Sequence, residues 1–443
     1  MEFFKTYKNH FFVLISVLIY FFLSYFFERN QFQLLLISYS ILFGCFFFLY
    51  NSKSFSTKNL FYIGLLFRVI FLFSTPFLSQ DFYRFIWDGR LLINGFSPYE
   101  FKPNTIIELN LIPQSKILFD GMGSLSAQHF SNYPPINQLF FAFAGLFSGK
   151  SILGSIIIFR LQTILADVGI YFIGRKILRL LNLNQNAIFL YFLNPLIILE
   201  LTGNLHFEGV MICFLLYGIY FLMQQKLVLS VIFIAISIAT KLLPLLLLPL
   251  LFQILGFKKC LPFYFSIIVI NVLLFLPFLN DTLIENYSKT ISLWFTNFEF
   301  NASFYYLIRE IGYYFKGYNV IQTVGKITPI FMLTITALFT FFKDNKTSSK
   351  LFLSSLFVLT IYLFQSTTVH PWYVINLVAF SVFTKYRFPL YWSFSVILSY
   401  FAYSNPDFKE NLYFIFIEYA LVFFILIYEL NGFKIRDLKF SKK

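Results

Sequence analysis

Long apolar runs recur from one end of the chain to the other, and mostly short polar stretches separate them. A run of about 18 or more apolar residues can cross the hydrocarbon core of a bilayer as a helix. The pattern predicts helices at about 10–27, 31–50, 59–79, 152–174, 187–202, 206–224, 227–242, 243–256, 261–279, 319–342, 350–366, 372–384, 388–404 and 412–431. A further apolar stretch, 136–149, is short for a span. The chain is therefore predicted to be an all-α polytopic membrane protein with about 11–14 transmembrane helices in a single domain, residues 1–443.

Two polar segments, 80–135 and 280–317, are much longer than the other connections. The first is rich in turn-forming sequences, among them SPYEFKPN and SNYPP. Long loops between helices tend to carry function. We predict that 80–135 is the first extracytoplasmic loop and holds the catalytic groups, and that 280–317 is a second outer segment.

The start of the first polar segment, residues 81–93, has the pattern of an amphipathic helix. On a helix, Asp81, Arg84 and Asp88 share one face. Phe82 and Phe85 lie on another face. Such a segment is typical of a helix that lies at a membrane surface. The alternative is a solvated helix that only caps the bundle.

Composition and charge support a membrane protein. The chain is 58% hydrophobic and 12% charged, whereas soluble domains carry about 25% charged residues. A net charge of +14 is compatible with a nucleic-acid partner, but the basic residues cluster in short connections between the predicted helices. That placement is typical of cytoplasmic loops, so the charge sets topology and the expected partner is the lipid bilayer. The same rule places 80–135 on the extracytoplasmic face.

The remaining ionisable residues are concentrated on one predicted face. They come from four distant segments: Asp81 and Asp88 in the first loop, His206 and Glu208 in GNLHFEG, Lys241 in ATKLLP and His370 in STTVHPWY. Ionisable groups at membrane depth are costly and usually mark a site. Carboxylates beside Lys and His suit abstraction of a hydroxyl proton and neutralisation of a phosphate leaving group.

Some charges fall inside predicted spans. Arg68, Arg160 and Asp167 are expected to pair within the membrane and fix helix packing. Glu418 has no obvious partner in the sequence.

Several motifs resemble a known enzyme class. They are DFYRFIWDG, GFSPY and YPP in the first loop, then HFE at 206–208, KLLP at 241–244 and HPWY at 370–373. Together they resemble polyprenol-phosphate-sugar-dependent glycosyltransferases of the GT-C class. The greatest similarity is to the catalytic mannosyltransferase of glycosylphosphatidylinositol assembly and to the actinobacterial α-1,6-mannopyranosyltransferases with their bacterial relatives. Those relatives often have His-Asn-Asp where this chain has His206, Phe207 and Glu208.

The resemblance implies a GT-C-like bundle that transfers a hexose, with mannose the leading candidate. The donor would be linked to polyprenyl phosphate, the acceptor would be a glycan or glycolipid, and the enzyme would lie in a bacterial inner (cytoplasmic) membrane with its active site outside. Asp81 matches the catalytic base, and Asp88 is its competitor, more suited to hold the loop or a sugar hydroxyl. The residues expected to bind substrate are Arg84, Tyr99, Tyr133, His206, Glu208, Lys241 and His370.

No metal or other cofactor is expected, because the chain lacks an Asp-x-Asp pair of the kind that holds a nucleotide-sugar metal. His206, Glu208 and His370 could form a divalent site only if they converge. Two other functions stay open at this point: a transporter or lipid flippase, and a polymerase of cell-envelope polysaccharides.

Overall fold

The computed structural model describes residues 2–440, and it describes side chains between residues 10 and 432. The α-helices are α1 (Glu2–Tyr25), α2 (Phe32–Asn51), α3 (Thr57–Val69), α4 (Asp81–Ile93), α5 (Pro103–Ile106), α6 (Ser115–Ala127), α7 (Pro135–Ser148), α8 (Ile152–Leu180), α9 (Phe189–Phe192), α10 (Pro195–Ile197), α11 (Glu208–Met223), α12 (Leu227–Thr240), α13 (Phe252–Phe275), α14 (Leu283–Thr296), α15 (Phe304–Lys316), α16 (Ile321–Phe342), α17 (Ser348–Gln365), α18 (Pro371–Ser381), α19 (Phe388–Ser395) and α20 (Leu412–Phe440).

Tighter and wider helical turns connect several of these helices. The 3₁₀ segments are Ile107–Leu109, Gln185–Ile188, Leu243–Leu251, Leu276–Phe278 and Val396–Ser404, and Ile198–Gly203 is a π-helix. Within residues 2–440, β-pairing is confined to a single bridge between Phe300 and Thr368. That bridge ties the second long polar segment, 280–317, to the turn that precedes His370.

The membrane architecture is that of an all-α polytopic protein, as predicted. In the described part of the chain, six helical stretches are long and apolar enough to span a bilayer: Phe32–Asn51, Ile152–Leu180, Leu243–Phe278, Ile321–Phe342, Ser348–Gln365 and Leu412–Gly432. A bent pair, Gln185–Phe192 and Pro195–Gly203, would make a seventh. Shorter apolar helices lie among them. The larger count of about 11–14 spans stays a prediction.

The bent pair replaces the single helix that the apolar pattern predicts over 187–202. Its two halves meet at an angle of 52°. Pro195 cannot donate a backbone hydrogen bond to the preceding turn. Asn194 begins the second half instead, with its side-chain oxygen accepting from the Leu196 N–H at 2.9 Å. The bend therefore follows from local sequence, although the hydrophobic pattern runs through it.

The predicted helix 59–79 is also wrong in its second half, because α3 ends at Val69. The backbone beyond it is held by the guanidinium of Arg160, which donates to the carbonyls of Phe71 and Ser74 and, from the other side, to the carbonyl of Thr202 at 2.8 Å. Carbonyls released from a helix need such donors when they are buried. Arg160 thus binds backbone, whereas the expected intramembrane ion pair forms between Arg68 and Asp167 at 2.8 Å.

Helix α4 has the limits that its amphipathic pattern indicates, but its surroundings differ from the expectation. Phe82, Arg84 and Asp88 are all buried, so this helix is enclosed by protein on its polar face as well. A Cβ on Gly89 would approach the carbonyl oxygen of Phe141 at 2.2 Å, which shows how closely α4 and α7 cross. Helix α4 is therefore packed against protein on both faces and is not a solvated cap on the bundle.

Candidate active site

A cavity of about 850 Å³ opens among segments that are far apart in sequence. Its wall includes Arg29, Gln80, Asp81, Tyr133, Glu208, Lys241, Trp294, His370, Trp372, Tyr373, Asn376, Tyr403 and Phe408. A cavity of this size with a few polar groups on a mostly apolar wall is the usual form of a small-molecule site. Five residues predicted from sequence thus meet there, namely Asp81, Tyr133, Glu208, Lys241 and His370.

Asp81 is the first residue of α4 and its side chain faces the cavity. Its backbone N–H donates to the hydroxyl of Ser79 at 3.2 Å, and no described side chain or backbone group donates to its carboxylate. Burial raises the pKa of Asp81 to about 6, the Glu208 carboxylate raises it further, and Lys241 and Arg29 oppose the rise. A carboxylate that titrates this close to neutrality, with its oxygens free, is suited to accept a proton.

The position of Asp81 depends on the turn after the π-helix. The side-chain oxygen of Asn204 accepts from the Leu78 N–H at 3.1 Å, three residues before Asp81. Asn204 in turn donates to Glu200 at 3.2 Å, and Glu200 accepts from the Tyr400 hydroxyl at 2.6 Å. π-helices are rare and often occur at functional sites. Here the widened turn places Glu200 and Asn204 where they fasten the segment that leads into α4.

Glu208 and Lys241 form an ion pair on the cavity wall. Lys241 lies where α12 ends, in extended backbone, and 22% of its side chain is exposed. The Glu208 side chain is only 2% exposed, and its second oxygen, Oε2, has no hydrogen-bond partner among the described residues. The pair therefore keeps a lysine beside Asp81 while leaving one carboxylate oxygen available.

Two histidines stack on the indole of Trp372. The ring centroid of His206 lies 3.8 Å from that of Trp372 and the centroid of His370 lies 4.3 Å from it, with interplanar angles of 19° and 8°. Two rings cannot share one face at these distances, so Trp372 separates them. His206, Glu208 and His370 consequently do not converge as a metal site would require. In the described part of the chain, no group of three or more His, Cys, Asp or Glu side chains is placed to hold a metal ion.

His370 is the histidine on the cavity wall. Burial and the nearby charge of Lys241 lower the pKa of His370 to about 3. The ring is therefore neutral at physiological pH, and it can offer a hydrogen bond but no charge to a phosphate.

Other predicted site residues lie behind the wall. Arg84 and Asp88 pair at 2.6 Å, and Gln138 donates to the second oxygen of Asp88 at 3.2 Å. Arg84 also donates to the carbonyls of Ser126 and His129, which closes the first polar segment onto α4. These contacts fasten the end of the first polar segment to α4.

Tyr99 and His206 are also set back from the cavity. The hydroxyl of Tyr99 donates to the carbonyl of Tyr133 at 2.7 Å, so Tyr99 supports a wall residue from behind. The Nε2 atom of His206 is 3.4 Å from Oε2 of Glu200, and the His206 ring stacks on Trp372. Both residues can shape the site without lining it.

Sequence reasoning missed several wall residues. Arg29 lies in the short turn between α1 and α2, and Tyr403 lies in a 3₁₀ segment that the pattern includes in the helix 388–404. The charge on Arg29 was the available signal, because it is one of the few charges in a predicted outer turn. Nothing in the local pattern marks Tyr403 or Asn376.

The known proteins that this chain resembles are alpha-(1->6)-mannopyranosyltransferases. The family model described as alpha-(1->6)-mannopyranosyltransferase, N-terminal domain, matches residues 26–256, a range that contains Arg29, Asp81, Glu208 and Lys241. The chain is 28% identical over 149 residues to alpha-(1->6)-mannopyranosyltransferase B of Corynebacterium glutamicum. This alignment covers 33% of this chain and 24% of the relative. It is 25% identical over 171 residues to alpha-(1->6)-mannopyranosyltransferase A of Mycobacterium tuberculosis, covering 38% of this chain and 32% of the relative.

These alignments span about a quarter to a third of the length of the curated relatives. No solved structure matches the chain. The family match covers more than half of the residues and includes the first polar segment with its Asp81. This chain therefore belongs to the family of the alpha-(1->6)-mannopyranosyltransferase N-terminal domain.

Proposed function

We propose that this protein is a mannosyltransferase that moves mannose from a polyprenyl-phosphate-linked donor to a hydroxyl of a glycan or glycolipid. The reaction takes place at the extracytoplasmic face of a bacterial inner membrane. The observation that carries the proposal is the cavity itself, where Asp81, with an unengaged carboxylate, lies beside the Lys241–Glu208 pair. The two relatives are named as mannosyltransferases, which makes mannose the proposed sugar.

The proposed chemistry is a single displacement. Asp81 accepts the proton of the acceptor hydroxyl while that oxygen forms a bond to C1 of the mannose. The bond between C1 and the phosphate oxygen breaks, its electron pair leaves with the phosphate, and the configuration at C1 inverts. Phosphate is already a good leaving group, so one carboxylate suffices where hydrolysis of a glycosidic bond uses two.

The cavity also carries groups suited to the two substrates. Lys241 is proposed to contact the donor phosphate, because a cation at this depth is stabilised by an anion. Tyr133 and Trp294 lie on the wall and can pack against sugar rings. The 3₁₀ segment Leu243–Leu251 continues directly from the wall and exposes Leu245, so the lipid chain is proposed to lie along it.

The direct test is transfer by the purified full-length protein. Radiolabelled polyprenyl-phosphate mannose is supplied with membrane-extracted acceptors, and polyprenyl-phosphate glucose serves as the sugar control. We expect labelled product from the mannose donor, and its loss in Asp81→Asn. Asp120→Asn is a matched control, because Asp120 is exposed in the same polar segment and does not line the cavity. Movement of labelled lipid between leaflets without any glycosidic product would contradict the proposal and favour a flippase.

A further inference from the structure

Arg29 is the charged wall residue that the proposed reaction does not yet use. It lies in the turn between α1 and α2, far in sequence from the first polar segment. Its guanidinium carbon is 4.0 Å from the ring centroid of Tyr403 and 5.6 Å from that of Phe408, and both rings also line the cavity. Stacking on aromatic faces holds a guanidinium in place while leaving its N–H groups at the edge available to acceptors.

The charge balance of the cavity shows what Arg29 contributes. The wall carries two carboxylates, Asp81 and Glu208, and two cations, Lys241 and Arg29. Lys241 is already paired with Glu208. Without Arg29, the ionised wall would carry net negative charge from Asp81 and would repel a phosphate. Arg29 is therefore the cation that makes the cavity tolerate a second anion beside Asp81.

Arg29 also has hydrogen-bonding capacity to spare. Its Nε is buried and has no hydrogen-bond partner among the described residues, and no described carboxylate lies within 4.0 Å of its side chain. A buried donor without an acceptor is costly, so an acceptor supplied by a ligand would stabilise this arrangement. Guanidinium groups bind phosphate oxygens through two parallel hydrogen bonds, which a lysine cannot do.

We propose that Arg29, supported by Tyr403 and Phe408, is the principal binding group for the phosphate of a lipid phosphate ester in this cavity. This rests on the proposed function for the identity of the lipid, a polyprenyl phosphate. Lys241, with its charge shared with Glu208, makes the secondary contact. The phosphate then lies between the two cations as it departs from C1.

The test measures binding without transfer. Full-length protein in phosphatidylcholine nanodiscs is titrated with farnesyl phosphate and, separately, with farnesol. We expect the wild type to prefer the phosphate, and Arg29→Gln to weaken farnesyl phosphate binding about tenfold or more without changing farnesol binding, the scale of losing a charged hydrogen bond. Arg29→Lys keeps the charge and should lose less. Arg179→Gln, at an exposed arginine outside the cavity, should bind both probes as the wild type does.

The remaining outcomes are equally decisive. If Arg29→Gln binds farnesyl phosphate with wild-type affinity, the assignment of Arg29 is wrong. It is also wrong if inorganic phosphate or phosphatidylglycerol competes as well as farnesyl phosphate, because the cavity would then be a general anion or headgroup site. If Arg29→Gln does not fold, Tyr403→Leu removes the supporting ring and should show the same selective loss to a smaller degree; unchanged selectivity there would contradict the proposal. Arg29-dependent phosphate binding without mannosyl transfer would leave this site standing and refute the proposed function instead.

Discussion

Asp81 and Asp88 lie seven residues apart on the same helix, but one faces the cavity and the other is enclosed by hydrogen-bond donors. Asp88 is fully buried, and its two oxygens accept from Arg84 and Gln138. Asp81 faces a cavity, and no described donor engages its carboxylate. The comparison teaches that the role of a carboxylate follows from what surrounds it. A fully bonded Asp fixes structure, whereas an Asp with free oxygens and a raised pKa is available for chemistry.

The largest expected effect is on stability, and it comes from the structural partner. Asp88→Asn leaves the buried Arg84 without its counter-charge. Breaking a buried pair from one side costs about 3 kcal/mol or more. We expect a clearly lower thermal unfolding temperature in detergent, whereas activity per folded molecule changes less than in the Asp81 variant. A stable Asp88→Asn protein with no activity would reverse the roles of the two residues.

Asp81→Asn should lower turnover strongly while leaving the unfolding temperature nearly unchanged, the reverse of the Asp88→Asn result. Asparagine keeps the size of the side chain but cannot accept the proton, and the loss of a general base costs about a hundredfold or more in turnover. The unfolding temperature should stay close to that of the wild type, because no described hydrogen bond depends on this carboxylate. Turnover and thermal unfolding are measured on the same preparation. Turnover within a few-fold of the wild type would remove Asp81 as the base.

Lys241→Met removes the lysine that shares the cavity wall with Asp81, whereas Asp88 is paired with Arg84 behind that wall. We expect the apparent KM for the lipid-linked donor to rise roughly tenfold, the scale of a lost charged hydrogen bond, with a smaller change for the acceptor. Lys226→Met is the matched control, because Lys226 is exposed at the other end of the same helix. Equal changes in both KM values, or none, would mean that Lys241 only reaches toward lipid headgroups.

Asn204→Ala should give a smaller effect, because Asn204 positions Asp81 through Leu78 and does not touch substrate. The variant loses the hydrogen bonds to Leu78 and Glu200, and loss of the Leu78 bond, which reaches the segment before Asp81, amounts to about a fivefold change. We expect kcat to fall by that factor while donor KM is unchanged. A change in donor KM alone would contradict a positioning role.

Much of this site could be predicted from the sequence. The prediction required only that several segments with ionisable residues end on the same predicted side of the membrane. It brought Asp81, Glu208, Lys241 and His370 to one place, and the helical pattern gave the limits of α4. It could not show that Asp88 is satisfied by Arg84 and Gln138, since Gln138 comes from another helix.

Long-range contacts explain the remaining misses. The end of α3 depends on Arg160, nearly a hundred residues away, so a continuous apolar pattern suggested a longer helix. Trp372 separates His206 from His370 through a stack that spacing in the chain does not encode. Glu418, which had no visible partner, accepts from Trp392 at 2.8 Å and from Asn301 at 3.2 Å. Each of these contacts joins segments whose sequences are unremarkable on their own.

The most direct test of the central claim is the pH dependence of kcat in the wild type and three variants. Asp81 must be deprotonated to act as a base, so kcat should rise with pH through a midpoint near 6. Lys241 lowers the pKa of Asp81 and Glu208 raises it. The midpoint should therefore move up in Lys241→Met and down in Glu208→Gln, and the rise should vanish in Asp81→Asn. A midpoint near 6 that persists in Asp81→Asn would contradict the assignment of Asp81 as the catalytic base.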